Sequence, residues 1–284
     1  MITPAEENYI KSHAYLPEHI PDYVTAISDV ETYLFSDYLY YCGKEQLIFI
    51  GYPLKAPGVG RNMEDILHHA IEKARPKYVA LAAPAISIPD LIRGRDVCYR
   101  SASDYYYKLD LPHFCVNKKI RNMIRRASRE LNIEKSQEIE DGHLMLISEF
   151  LNSHEVDDTT RYIFERVPKY LSSSPTAWVF SARDKAKRLV AFDVAEFAAK
   201  DYAFYMFNFR LRQHSVPGAS DSLLHEVIKA AKKQGKSFLN LGLGINEGVR
   251  FFKKKWGGHP FLSYEFCLYQ RGHIDRLKSL FEKL

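Results

Sequence analysis

The spacing of apolar residues changes period many times along this chain, and each change marks an element. Thr3 followed by Pro4 opens a helix over 4–14, because threonine caps well and proline suits a first helical position. Tyrosine-rich stretches over 33–41 and 46–52 read as two strands joined by Cys42-Gly43-Lys44-Glu45, a hairpin loop with glycine in it. The segment Lys55-Ala56-Pro57-Gly58-Val59-Gly60-Arg61 leads to a helix over 63–75, which stops before Pro76, and to a buried strand over 78–82. A strand over 104–111 feeds a helix over 117–131. There Ile120, Ile124, Ala127 and Leu131 form an apolar stripe, while Lys118, Arg121, Arg125 and Arg129 take another face.

The second half predicts a strand over 133–139, helices over 142–153 and 159–170, and a strand over 176–181. A long hairpin follows, 189–197 and 202–209, turning at Ala198-Ala199-Lys200-Asp201. A linker through Ser215 and Gly218 opens a helix over 219–234, with Leu223, Leu224, Val227, Ile228 and Ala231 inward and Gly235 just past its end. A strand over 238–242, a short helix over 247–255, a strand over 260–269 and a helix over 273–284 complete the pattern.

One succession occurs twice: hairpin, glycine-containing loop, helix, buried strand, over 33–82 and again over 188–242. No residue-by-residue repeat accompanies it. The expectation is an α+β protein of two similar units, each with a splayed central strand pair. Residues 1–132 form the first, structural or acceptor-binding, and end in the basic bridging helix. Residues 133–284 form the second, catalytic unit.

Bulk properties narrow the picture. A chain of 284 residues, 46% hydrophobic and 26% charged, suits a folded protein of one large or two medium domains. No apolar run approaches the ~20 residues of a membrane helix, so no integral membrane association is expected. The first residues lack the order of a signal peptide. Cys42, Cys98, Cys115 and Cys267 match no zinc spacing and read as free thiols of a reducing compartment, which makes a cytoplasmic location the expectation. His68-His69 and His154-Glu155 lack ligand spacing, and no metal site is expected. The net charge of +5 permits a phosphate-bearing ligand without requiring one.

Specific resemblance begins at Phe238-Leu239-Asn240-Leu241-Gly242, followed by Asn246 and by Phe252-Lys253-Lys254-Lys255-Trp256-Gly257. This order resembles the splayed strand and short helix of GNAT acetyltransferases. Asn246, Lys255 and Gly257 fall in register with the Asn…Tyr-x-Lys-x-Gly-Phe pattern of that fold. Two features depart from it: Lys253 stands where many of those enzymes carry a tyrosine acid, and no glycine-rich pyrophosphate loop occurs. Both departures resemble the FemAB-like branch. The stretch from Asp104-Tyr105-Tyr106-Tyr107 through Asn117-Lys118-Lys119-Ile120-Arg121-Asn122 is similar to the phosphatidylglycerol lysyltransferase C-terminal domain family. The resemblance implies tandem GNAT-like units with mixed, mostly antiparallel sheets and flanking helices, and acyl-CoA or aminoacyl-tRNA as donor.

The candidate chemistry follows from aminolysis, which needs a neutral amine, a polarised carbonyl and a proton for the leaving group. Lys253 is the candidate for positive charge near the developing oxyanion. Asp193 and Glu196 are candidate bases, but they point to opposite strand faces and cannot act as a pair. The helix after Gly218 offers free N–H groups to an anion, with Ser215 and Ser220 as added donors, while Asp221 would repel a phosphate placed too close. Asn240, Asn246, Arg121 and Asn122 are candidate binding residues. The expected function is transfer of an acyl or aminoacyl group to an amine acceptor, with no tightly bound cofactor and acyl-CoA as a candidate co-substrate. The alternative is a non-catalytic ligand- or partner-binding protein on the same duplicated fold.

Overall fold

The computed structural model describes residues 2–55, 62–86, 98–211 and 216–270. The predicted loop at Gly58-Val59-Gly60-Arg61, Ser215 and the helix expected over 273–284 lie outside the described residues. The first half builds α1 (Pro4–His13), a 3-10 turn (Pro17–His19), α2 (Pro21–Ser28), β1 (Glu31–Phe35), β2 (Tyr38–Cys42), β3 (Gln46–Ile50), α3 (Met63–Ala74) and β4 (Tyr78–Ala83). Strand β5 (Cys98–Asp110) and helix α4 (Lys118–Ala127) cross to the second half. There follow β6 (Leu131–Ser136), α5 (Asp141–Ser153), α6 (Asp158–Glu165), α7 (Val167–Ser173), β7 (Ala177–Asp184), β8 (Leu189–Glu196) and β9 (Tyr202–Arg210). Helix α8 (Ala219–Lys233), β10 (Phe238–Leu243), α9 (Glu247–Lys255) and β11 (His259–Gln270) complete the described chain.

The eleven strands among the described residues join one sheet in the order β1-β2-β3-β4-β11-β5-β10-β9-β8-β7-β6. Of their pairings, only β3 with β4 and β9 with β10 run parallel. Each parallel pair follows an antiparallel meander and is bridged by one helix, α3 or α8. The repeated succession in the sequence is therefore a repeated topology. The strand that follows each unit is exchanged: β5 pairs with β10 of the second unit, and β11 pairs with β4 of the first. The two exchanged strands also pair with each other from His259 to Tyr269 and so seal the sheet at its centre.

Helices cover both faces. Helix α8 lays Leu223, Leu224 and Val227 on Ala191, Ala195 and Leu239, together with Ile120 and Ala127 of α4. Helix α3 covers the same face of the first unit with Ile66, Leu67 and Ile71. On the other face α5 and α7 bury Leu146, Leu151 and Tyr170 against Phe192, Val194 and Phe209. Ile10 of α1 and Val24 of α2 cover Leu39, Tyr41 and Ile50.

The two parallel pairs differ, and this corrects the expectation of a splayed pair in each unit. β3 and β4 stay paired from Gln46 with Tyr78 to Ile50 with Ala82, and the Gly51 N–H extends the contact to the Ala82 carbonyl at 2.7 Å. A Cβ at Gly51 would meet Met63 Sδ at 2.6 Å and Ala83 Cβ at 2.7 Å. Glycine here lets side chains fill the place where the strands would part. Gly51→Ala is expected to cost about 1–3 kcal/mol through overpacking, read as a lower urea midpoint. An unchanged midpoint would show that the filled wedge yields.

Three further expectations are revised. The strand predicted over 33–41 is a tight hairpin, because Ser36 and Asp37 both turn in the left-handed region (φ 47° and 70°) without any glycine to announce it. The helix predicted over 159–170 is two helices, since Pro168 has no N–H for the Phe164 carbonyl. The four cysteines are not all free: Cys98 and Cys267 form a disulfide across β5 and β11, with Cα atoms 5.8 Å apart. Their separation in sequence hid the contact, and the pairing removes the free-thiol argument for a reducing compartment.

Candidate active site

Strands β9 and β10 pair only from Tyr202 with Phe238 to Phe204 with Asn240. Beyond that point β10 kinks at Gly242 (φ 75°) and follows β5, placing Gly242 opposite Tyr107 and Leu243 opposite Tyr106. Strand β9 continues to Arg210 without it. The gap between them is a wedge lined by main-chain groups of β9 from Tyr205 onward. A Cβ at Gly242 would lie 3.9 Å from the Tyr205 carbonyl oxygen and 3.7 Å from Lys253 Nζ, so the lysine end sits at the wedge.

Lys253 reaches that place because α9 starts from a fixed cap. The Asn246 side chain accepts the Val249 N–H at 2.9 Å, and Asp104 on β5 accepts the Ile245 N–H at 2.6 Å. About two turns after the cap Lys253 points inward at 4% exposure, while Lys254 is exposed. Lys253 Nζ donates to the Leu243 carbonyl and lies 5.9 Å from the Tyr107 ring centre. Burial lowers its pKa from the usual lysine value to about 7, against the opposing pull of Asp104. An amine titrating near neutrality can hold or release a proton at physiological pH.

Asp193 lies one strand behind the wedge, fully buried on the α8 face. Asn208 Nδ2 on β9 donates to its Oδ1, and Asn208 also approaches Ser220 Oγ at 3.5 Å. Burial pushes the carboxyl up to about 8, with Asn208 and Tyr205 opposing the shift. The Tyr205 hydroxyl faces it, although neither that oxygen nor Asp193 Oδ2 completes a hydrogen bond of ordinary geometry. Tyr205, Asn208 and Asp104 were not among the sequence candidates.

The other candidates are placed differently. Glu196 points to the opposite face and is committed to the fold. It accepts from the Tyr170 hydroxyl at 2.6 Å, Ser174 Oγ at 2.8 Å and the N–H groups of Phe197 and Ala198 at 2.8 and 2.9 Å. Four accepted bonds use up a carboxylate, so Glu196 has no place for a substrate proton. Asn240 is fully buried, donating to the Tyr15 carbonyl and accepting the Gly242 N–H, both at 2.8 Å, which sets the kink. Asn246 serves as the cap. Arg121 and Asn122 lie exposed on α4, where Arg121 donates to the Val116 carbonyl at 3.1 Å.

Gly218 opens α8 at φ 86°, and a Cβ there would come within 3.2 Å of the Met123 carbonyl on α4. Glycine is required both by the backbone angle and by the close approach of α4. Asp221, suspected of repelling a phosphate, accepts from Trp256 Nε1 at 2.9 Å and pairs with Lys255 at 2.5 Å. Its charge is balanced within the protein. A separate groove of about 490 Å³ lies at the far end of α9, between Phe114, Asn117, Lys254 and Trp256. Lys253 does not line it. Among the described residues no cluster of side chains could hold a metal ion.

No protein-family model matches the chain, and no curated protein matches it in sequence. Solved structures do match its fold. A C-terminal domain assigned to a lysylphosphatidylglycerol synthetase of Agrobacterium fabrum aligns over 98% of this chain and 96% of its own, with TM-score 0.59 and 18% identity. FemX aligns over 93% and 96% (TM-score 0.62, 11% identity). A tandem GNAT protein from the clavulanic acid biosynthesis pathway aligns over 83% and 78% (TM-score 0.56, 11% identity). The chain has the fold of a GNAT-like FemAB and lysylphosphatidylglycerol-synthetase domain, with two GNAT-like units in tandem.

Proposed function

We propose that the second unit transfers an acyl or aminoacyl group from a carrier to an amine acceptor. The observation that carries this reading is Lys253, buried at the open end of a parted parallel strand pair with a pKa near 7. The acceptor nitrogen attacks the carbonyl carbon, the bond from that carbon to the carrier's sulfur or oxygen breaks, and the acceptor loses a proton to solvent. Lys253 in its protonated form supports the negative charge on the carbonyl oxygen or protonates the leaving group. The carrier extends along the unpaired edge of β9, and its phosphate meets the start of α8, where Lys255 has neutralised Asp221. The first unit, whose wedge is filled, is assigned a structural or acceptor-binding role. The fold kinship with FemX and a lysylphosphatidylglycerol synthetase domain supports the reading and leaves two donor classes, acyl-CoA and aminoacyl-tRNA.

Thermal denaturation separates the donors. A ligand that binds only the folded state at tenfold excess over its Kd adds roughly 1.4 kcal/mol. Acyl-CoA is the donor if acetyl-CoA or a longer acyl-CoA raises Tm by that order. A flat response to every CoA, beside salt-sensitive binding of charged tRNA, assigns the aminoacyl branch. Silence toward both donors would defeat the transfer reading.

A further inference from the structure

Glu18 is a carboxylate set among aromatic rings with no cation to meet it. The backbone fixes it there. Its own carbonyl accepts from the Tyr41 hydroxyl at 2.7 Å. On either side Pro17 and His19 are buried, with His19 Nε2 2.9 Å from the Tyr52 carbonyl. The Glu18 side chain faces Tyr106 of β5, at the centre of the sheet. Neither Glu18 Oε2 nor the Tyr106 hydroxyl completes a hydrogen bond of ordinary geometry, although both atoms are shut off from water and Tyr106 is only 1% exposed. Burial raises the Glu18 pKa, opposed by its own backbone and by Tyr106, and no lysine or arginine contributes. As a residue Glu18 is part-exposed, which leaves a way in from water. Such a group is costly. A buried carboxylate without a partner weakens the fold, and glutamine or an apolar residue would sit among the same rings at less cost. A carboxylate kept here in spite of that calls for a positive partner from outside the chain.

The surroundings identify that partner's chemistry. The Tyr106 ring stands at 85° to Tyr52 with centres 6.0 Å apart, and at 86° to Tyr264 with centres 5.5 Å apart. Phe261 of β11 closes a further side at 6.5 Å. The Tyr52 hydroxyl is tied to the Ser263 carbonyl at 2.6 Å, so the arrangement is held from both β3 and β11. A hard metal ion needs several oxygen ligands, and among the described residues no cluster of side chains offers them. An organic cation needs what is present. Its charge pairs with Glu18, its N–H groups reach Glu18 Oε2 and the Tyr106 oxygen, and its methylenes lie against ring faces. Tyr106 and Tyr107 point to opposite faces of β5, so this place is separated by the sheet from Lys253 and α9. We propose that Glu18, Tyr106, Tyr52 and Tyr264 form a binding site for a primary alkylammonium group.

Saturation-transfer NMR of the intact chain with n-butylammonium chloride tests this with no donor present, so the result stands apart from the transfer reading. The ammonium should receive saturation and titrate to a plateau, while n-butanol, a neutral compound with the same carbon chain, should receive far less. Glu18→Gln should weaken the ammonium at least on the order of tenfold, as loss of a hydrogen bond to a charged group requires. Its Tm at neutral pH should be unchanged or higher, because a carboxyl whose folded pKa is raised disfavours folding once it is ionised. Weaker binding by that variant then cannot be ascribed to unfolding. Tyr264→Leu keeps an apolar side chain, removes the ring face and should weaken binding several-fold. No binding of butylammonium, butanol bound as well as the ammonium, or a Gln variant that binds like the wild type overturns the proposal. So does a Gln variant with a much lower Tm, which would make the carboxylate a structural group.

Discussion

Lys253→Met is expected to lower kcat on the order of 100- to 1000-fold while KM moves little, because the lost interaction forms only as the carbonyl is attacked. The substitution keeps the apolar stem beside Tyr107 and removes the charge. Lys254→Met is the matched control. That side chain is next in sequence but exposed, and its loss should be nearly silent. Lys253→Arg separates charge from proton transfer, since guanidinium does not deprotonate in proteins. With Lys253 titrating at about 7, the alkaline limb of the wild-type kcat/KM profile should bend there, and the Arg variant should lack that bend. Equal turnover by the Met variants at 253 and 254 would end the assignment and move attention to Asp193 and its neighbours on the β8–β9 hairpin.

What could be read in the sequence follows the range of the interactions involved. Local signals read well. Thr3 and Glu6 form the capping box that starts α1, with the Thr3 N–H donating to Glu6 at 2.7 Å. The apolar stripe of α8 lies on the sheet as its spacing required. Lys253 was visible through its register with Phe252, Trp256 and Gly257, but its burial was not. A Lys253-Lys254-Lys255 run reads as a wet face, whereas the helix turns the first inward, the second to water and the third to Asp221. Contacts between distant strands were illegible. A four-residue turn at 198–201 would set Phe197 opposite Tyr202 and Asp193 opposite Met206, yet the strands start one residue out, with Glu196 opposite Phe204, and an irregularity between Val194 and Ala195 adds a second shift that brings Asn208 to Asp193. The exchange of β5 and β11 hid the Cys98–Cys267 pair for the same reason. Asn246 was singled out by register and Asn240 by its place in the expected splayed strand, both as binding residues; their amides shape the cap and the kink that present Lys253.

The stability of the protein should pass through a minimum near neutral pH, and two substitutions should remove the two sides of it. Asp193 has a folded pKa raised by burial to about 8, above its ordinary 3.8. Its contribution is therefore fully present below pH 3.8 and is lost as pH rises through 8, since the unfolded carboxyl ionises freely and the buried one does not. Lys253 runs the other way, with a folded pKa lowered to about 7 from 10.5. Its stabilisation is complete above pH 10.5 and is lost as pH falls through 7. Each slope is on the order of 1 kcal/mol per pH unit inside its window. Other carboxylates and tyrosines titrate over the same range, so the informative quantity is the difference between variant and wild-type profiles from urea denaturation. Asp193→Asn can keep an acceptor for Asn208 and should gain on the wild type steadily from about pH 4 to pH 8. Lys253→Met should gain on it most below pH 7, partly offset by the Leu243 carbonyl left without its donor. Parallel profiles for wild type and both variants would mean that neither group is buried as drawn. Offset profiles with the stated signs would mean that the protein keeps one group at the wedge and another one strand behind it which weaken the fold most where they are poised to exchange protons, as expected of a catalytic site rather than a structural one.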